Sequence, residues 1–304
     1  MSGSGPKPEI RSSSQKRQKR SSVSEPLVAG VRPIANGTKL VRMPLVAPNR
    51  RNCIVAIGGE FTQRLLTDAG IGSGMRVLDV GCGTGDVSLL AGELVGSSGS
   101  VIGIDREAGP LETAHRRARE MGLQTVTLTL GDLQCVPDDL GTFDAIVERR
   151  VLMYQPDTVQ AVRKLIPSLR PGGLIVLQEH DTTMVPASSQ AMPLHCTVQN
   201  WMKQTILREG ADIHIGFNLH NVLTQAGLSV EHVRAEAIVQ TPTQKHPVGS
   251  IIKAMLPRIV ALGVATESEI DIDTLDERLD AERVNTNATY IGDVMFGAWA
   301  RKLA

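Results

Sequence analysis

The sequence predicts an α/β fold, a mostly parallel sheet with helices on both faces. Three observations predict it. Short runs rich in Val, Ile and Leu recur between residues 75 and 180. Amphipathic segments alternate with them. Glycine, serine and proline clusters mark most boundaries. Strands alternating with helices of this length imply right-handed βαβ crossovers and hence parallel pairing.

The elements follow in order. An apolar helical pattern (Ile54, Ile57, Phe61, Leu65, Leu66) spans about Arg51 to Gly70. MRVLDV reads as a buried strand and DVSLLAGELV as a helix. SVIGID is a second strand, and GPLETAHRRAREMG an amphipathic helix ending at Gly122. TVTLTL and FDAIVE are the third and fourth strands. TVQAVRKLIPSL is a helix stopped by Pro171-Gly172-Gly173, and LIVLQEH the fifth strand. A long helix is expected over about Ser188–Arg208, a short one at LHNVLTQAG, and a strand at VEHVRAEAIVQ. A helical segment fills about 246–285, and TYIGDVMFGAWARK alternates like a closing strand.

Composition excludes several classes. The 304 residues carry 32 basic and 32 acidic side chains, so no overall field favours nucleic acid or an anionic membrane. No run of eighteen apolar residues exists to span a bilayer. The first residues have no apolar core of a secretory signal. Cys53, Cys82, Cys135 and Cys196 form no CxxC pair, which suits a reducing cytoplasm and offers no zinc spacing. Eight aromatic residues are few for base-stacking platforms. The basic stretch 1–25 reads as a disordered tail, with a localisation or RNA-touching arm as the sharper alternative. Residues 26–60, broken by four prolines, read as an N-terminal cap segment, and 61–304 as the main domain.

The strongest signal is Leu78-Asp79-Val80-Gly81-Cys82-Gly83-Thr84-Gly85-Asp86. A buried strand enters three glycines at alternate positions, then a helix. Glycines there permit a tight turn and close approach of a ligand to backbone. The third glycine comes one residue too early for the dinucleotide fingerprint, and no Gly-Lys-Ser/Thr follows for a phosphate loop. Asp79, before the first glycine, suits a cationic ligand better than a pyrophosphate. Asp105 ends the second strand, where a carboxylate can accept ribose hydroxyls. Asp132 follows the third strand, placed to take an adenine amino group, and Glu148 ends the fourth.

With LDVGCGTG (78–85), GID (103–105), GDL (131–133), FDAIVERRVLMY (143–154) and LRPGGLIVLQE (169–179), the chain resembles the class I S-adenosylmethionine-dependent methyltransferases. It looks most like their small-molecule branch, the ubiquinone/menaquinone type. The resemblance runs from about Gly59 to Gly227. It implies a Rossmann-like sheet of seven strands, the last antiparallel and inserted, with a helical cap. It implies S-adenosyl-L-methionine as cofactor. Gly81, Gly83 and Gly85, with Cys82 among them, would line its methionine and ribose side. Asp79 would sit near its amino group. Asp105 would bind ribose, Arg106 would flank the adenine, and Asp132 and Leu133 would contact it. Glu148 and Arg149 would stand where this family contacts cofactor or acceptor.

The expected reaction is methyl transfer to a small, largely apolar, quinone-like acceptor. A sulfonium methyl is already activated, so the protein chiefly positions the acceptor and excludes water. A base is needed only where the acceptor must lose a proton. His180 is the best base candidate, with a plain loop-bonded histidine as its alternative. Tyr154 could orient the acceptor or simply pack. Cys82 reads as packing rather than a nucleophile, and His195-Cys196 with His214 and His220 match no metal spacing. Cap candidates are 186–215 and 246–287; SIIKAMLPRIVALGV reads either as a surface helix on the sheet or as an apolar lid. The alternatives are an RNA or protein methyltransferase guided by the basic tail, and a non-methylating protein on the same fold. The methylated atom and homo-oligomer formation are left open.

Overall fold

A computed structural model describes residues 59–303 apart from Val185. The tail and most of the N-terminal segment expected at 1–25 and 26–60 lie outside the described residues, as does the start of the first helical pattern. The helix of that pattern runs Gly59–Asp68 (α1).

Five strands then form a parallel sheet: β1 (Arg76–Val80), β2 (Ser100–Asp105), β3 (Val126–Leu130), β4 (Phe143–Arg149) and β5 (Leu169–Asp181). The order is β3-β2-β1-β4-β5, so the chain reverses direction of travel at β1. The crossovers carry α2 (Asp86–Val95), α3 (Ala108–Met121) and α4 (Thr158–Leu165). After β5 come β6 (Ala187–Ser188), α5 (Pro193–Arg208), α6 (Ile215–Gln225) and β7 (Ser229–Gln240). The closing strand, β8 (Tyr290–Arg301), inserts antiparallel between β5 and β7. The two residues of β6 extend the β5 side along β8. The sheet is thus the seven-stranded one expected, with β6 as a small eighth strand.

Central strands read as unbroken apolar runs because both faces are covered. Val77, Ala145, Val147, Leu174 and Val176 pack toward α1 and α2. Their neighbours Leu78, Val80, Ile146, Ile175 and Leu177 pack toward α4 and α6. Period-two alternation places adjacent residues on opposite faces. Buried in this way, each strand excludes water from two layers at once, at about 25 cal/mol per Å² of apolar surface.

Three expectations are corrected. The fifth strand starts at Leu169, before Pro171-Gly172-Gly173, and those residues fall in an irregularity of the β4–β5 register. Proline lacks a ladder donor and is tolerated at such a bulge. The long helix expected from Ser188 begins at Pro193, which suits a first helical turn. The segment 246–285 is three helices: α7 (Val248–Ala261), α8 (Glu267–Ile270) and α9 (Ile272–Thr286). A capping box at Thr266 and Glu269 starts α8, and Asp271, at φ 46°, breaks α8 from α9.

Residues of α5, α7 and α9 share an apolar cluster of their own, including Val198, Ile252, Ile259, Leu275 and Leu279. So α7 packs chiefly on helices rather than on the sheet. Among the described residues no helix is long and apolar enough to cross a membrane.

Candidate active site

Two cavities open at the carboxyl edge of the sheet, where the strand order reverses and where open α/β sheets place their ligands. The smaller, about 260 Å³, is lined by Gly81, Asp105, Arg106, Asp132 and Leu133 among others. The larger, about 450 Å³, lies between the ends of β4, β5 and β8 and the helices α5 and α7. Arg150 and Tyr154 line both.

The glycine loop is built as the motif requires. Gly81, Gly83 and Gly85 all have positive φ, at 68°, 51° and 86°. L side chains avoid that region, and glycine does not. A Cβ on Gly85 would lie 2.9 Å from Ala114 Cβ, so this glycine lets α3 close on the loop. A Cβ on Gly83 would meet nothing within 4 Å. Gly83 N–H donates to Asp105 Oδ2 at 2.8 Å, and Glu107 N–H donates to Oδ1 at 2.9 Å. These bonds aim the carboxylate and leave each oxygen a lone pair for a ligand hydroxyl. Asp132 is held similarly, accepting Gln134 N–H at 2.8 Å. Arg106 is largely exposed beside them, and Leu133 is buried.

Five of the residues expected at the cofactor, Asp79, Cys82, Gly83, Gly85 and Glu148, line neither cavity. Asp79 is buried and accepts a hydrogen bond from Ser88 Oγ at 2.5 Å. Burial pushes its pKa up to about 6, against the pull of Ser88 and Arg149. Cys82 turns away from the loop into an apolar cluster with Leu111, Ala114 and Leu128. Burial pushes its thiol up, so it stays protonated. Gly85 is buried under α3. Glu148 points into the protein, where its Oε1 accepts the N–H groups of Val151 and Leu152. A buried carboxylate needs such donors, and the tight turn after β4 supplies them.

Arg149 lines the larger cavity instead of the smaller one. Its Nη2 donates to Asp86 Oδ2 at 2.7 Å, and Arg117 Nη1 donates to Oδ1 at 2.7 Å. Burial pushes Asp86 upward, but the two guanidinium groups outweigh it and hold the carboxyl below its ordinary value.

Below the turn 150–154 lies a pair of buried carboxyls. Glu179 Oε1 accepts Met153 N–H at 3.2 Å. Among the described residues Glu148 Oε2 and Glu179 Oε2 have no hydrogen-bond partner apart from the neighbouring carboxyl. Burial raises Glu148 to about 7, and burial with the Glu148 charge raises Glu179 well above its usual range. One shared proton satisfies both oxygens, as in other close carboxyl pairs. The turn above them carries Arg150 at φ 60°.

In the larger cavity His180 Nδ1 lies 2.9 Å from Asp293 Oδ2. His246 lines the same cavity, its pKa pushed down to about 4 by burial and by the His180 charge. Tyr154 Oη accepts from Arg258 Nη2 at 3.3 Å, and Arg258 also pairs with Glu209. Met202, Ile206, Ile251 and Met255 supply apolar wall. Sequence reasoning missed Asp86, Arg150, His246, Arg258 and Asp293. Asp86 alone carried a signal, as the acid directly after the glycine loop. The candidate metal residues do not assemble: His195 Nδ1 lies 2.7 Å from Glu282. No group of three metal-ligating side chains occurs among the described residues.

The aimed Asp105, the open side of Gly83 and the Asp132–Leu133 wall fit a nucleoside. Asp105 would hold the ribose, and Asp132 and Leu133 the base.

Comparison with known proteins agrees with that fit. Residues 71–227, more than half of the chain, match the family model described as methyltransferase domain. Demethylmenaquinone methyltransferase of Staphylococcus aureus (strain MRSA252) is 33% identical over 135 residues, 44% of this chain and 55% of that protein. Its counterpart from Lactococcus lactis subsp. lactis (strain IL1403) is 30% identical over 149 residues, 48% and 59%. The alignments thus span little more than half the length of these relatives. The fold is shared with phosphoethanolamine N-methyltransferase 2 of Haemonchus contortus, solved with S-adenosylhomocysteine (TM-score 0.53, 17% identity, 82% of this chain and 55% of that one). The family match covers the glycine loop, Asp105, Asp132 and the turn after β4 together, and by it the chain belongs to the S-adenosylmethionine-dependent methyltransferases.

Proposed function

We propose that this chain transfers a methyl group from S-adenosylmethionine to a small, largely apolar organic acceptor seated in the larger cavity. The observation that carries this reading is the pair of adjoining cavities. One is built for a nucleoside, the other walled by apolar side chains of α5 and α7 with a histidine–carboxylate pair.

The cofactor supplies a methyl group already activated on a sulfonium. The protein's part is to hold the acceptor and exclude water, which proximity makes worth about 7–11 kcal/mol. Asp293, whose carboxylate only accepts, holds the N–H at His180 Nδ1. That tautomer leaves Nε2 with a lone pair to take a proton from the acceptor. His246, neutral near pH 7, adds no competing charge. Tyr154, tethered by Arg258, forms the wall between the two cavities and orients the acceptor. The curated relatives named for a demethylmenaquinone favour a quinone-like acceptor.

The test uses methyl-labelled S-adenosylmethionine with a lipid-soluble extract, with RNA and with protein. Label in the lipid-soluble fraction supports the reading; label in RNA or protein, or none anywhere, sinks it. His180→Gln should lower turnover about 10²–10⁴-fold while S-adenosylhomocysteine still binds.

A further inference from the structure

Arg150 stands apart from the other charged groups of the site. It lines both cavities and is the residue at which they meet, with Tyr154. Its backbone lies at φ 60°, a strained conformation for a non-glycine residue that clusters at functional sites. Its N–H donates to Gln178 O at 2.9 Å, which fixes the turn. Its side chain makes no hydrogen bond or ion pair among the described residues. The other charges around it are committed. Asp86 is held between Arg149 and Arg117, and Asp293 faces His180. Arg258 is paired with Glu209. Glu148 and Glu179 give an oxygen each to backbone N–H groups of 151–153. Arg150 is exposed to solvent, so a group entering either cavity can reach its guanidinium. A cation in that setting is stabilised by an anion more than by a neutral ligand.

We infer that Arg150 binds an acidic group, a carboxylate or an equivalent oxyanion, carried by the methyl acceptor. The inference rests on the proposed methyl transfer and narrows its acceptor to an apolar molecule with one anionic group. A planar guanidinium receives such a group through two parallel N–H bonds. The same chemistry occurs in the cofactor's own carboxylate, so the two sources must be separated.

The experiment measures binding by calorimetry to the full chain saturated with S-adenosylhomocysteine. The probes are 2-naphthoate and its neutral isostere 2-naphthamide. Wild-type protein should prefer the carboxylate by about tenfold or more. Arg150→Met should erase that preference, and Arg150→Lys should keep part of it. Methionine retains a Cβ, so the positive φ costs both side chains alike, and the lysine variant guards against misfolding of the first. Equal affinity for the two probes in wild type, or a preference that survives Arg150→Met, overturns the inference. In a second arm, S-adenosylhomocysteine and methylthioadenosine, which lacks the amino-acid end, are titrated into wild type and Arg150→Met. Weakening of the former alone assigns the side chain to the cofactor and overturns the acceptor role. Failure of wild type to bind S-adenosylhomocysteine would sink the methyl-transfer reading separately. The naphthoate preference would then be judged on the cofactor-free protein.

Discussion

Asp86 and Arg149 form an ion pair of 2.7 Å that ties the first residue of α2 to the last residue of β4. It links the glycine loop to the wall of the larger cavity. Arg149 is 9% exposed, so losing this partner would leave a nearly buried cation without its carboxylate. Asp86→Ala should therefore cost about 3 kcal/mol in urea unfolding, the cost of stranding a buried cation. Arg149→Met should cost less, because Arg117 still neutralises Asp86. Equal costs would show that Arg117 does not share the load.

A Cβ on Gly81 would lie 2.3 Å from Val151 Cγ2. The loop and the turn after β4 therefore touch at this glycine. Gly81→Ala should weaken S-adenosylhomocysteine binding about tenfold, from steric overlap and from alanine at positive φ. Gly81→Ala with Val151→Ala should recover the steric part only. Unchanged calorimetric affinity in the single variant would mean the loop relaxes freely.

The Glu148–Glu179 pair makes stability depend on pH. Folded-state pKa values raised above the unfolded ones mean the native state binds more protons, so stability falls as pH rises. The contribution is fully present below about 4.5 and is lost as pH rises through about 7. Glu179→Gln keeps an acceptor for Met153 N–H and adds a donor for Glu148. It should raise stability at pH 8 by about 2 kcal/mol and flatten the profile between pH 5 and 8 in urea titrations. A profile identical to wild type would refute the shared proton.

Cys82 is buried and protonated, whereas Cys135 and Cys196 are exposed. Iodoacetamide at pH 8 should label the latter two in folded protein and reach Cys82 only after denaturation, as read by peptide mass spectrometry. Rapid labelling of Cys82 would show that the glycine loop opens.

Much of the fold was legible because its signals are local. DVSLLAGELV and SVIGID coincide with α2 and β2 residue for residue, since each carries its own periodicity and its own punctuation. The glycine loop was legible for the same reason: alternate glycines encode positive φ wherever they stand. Errors arose where a local signal had a tertiary use. Pro171-Gly172-Gly173 read as a stop but sit in a strand irregularity. For Glu148 and Asp79, read as ligands from their place at strand ends, the structure adds burial without testing that role. Adjacent strand residues face opposite ways, and which way is inward depends on what covers the sheet.

The sequence by itself determined the βαβ order, the glycine loop and Asp105 at the end of the second strand, because each is written within a few neighbouring residues. Only the tertiary structure decided which distant side chains meet. His180 and Asp293 are 113 positions apart, and Asp86 and Arg149 are 63. Insertion of β8 beside β5 brings the first pair together, and the crossover from β1 to β4 the second. Nothing in the spacing of either pair encodes its contact. The folding of apolar runs into one sheet sets it, and the polar partners at the sheet edge are carried along.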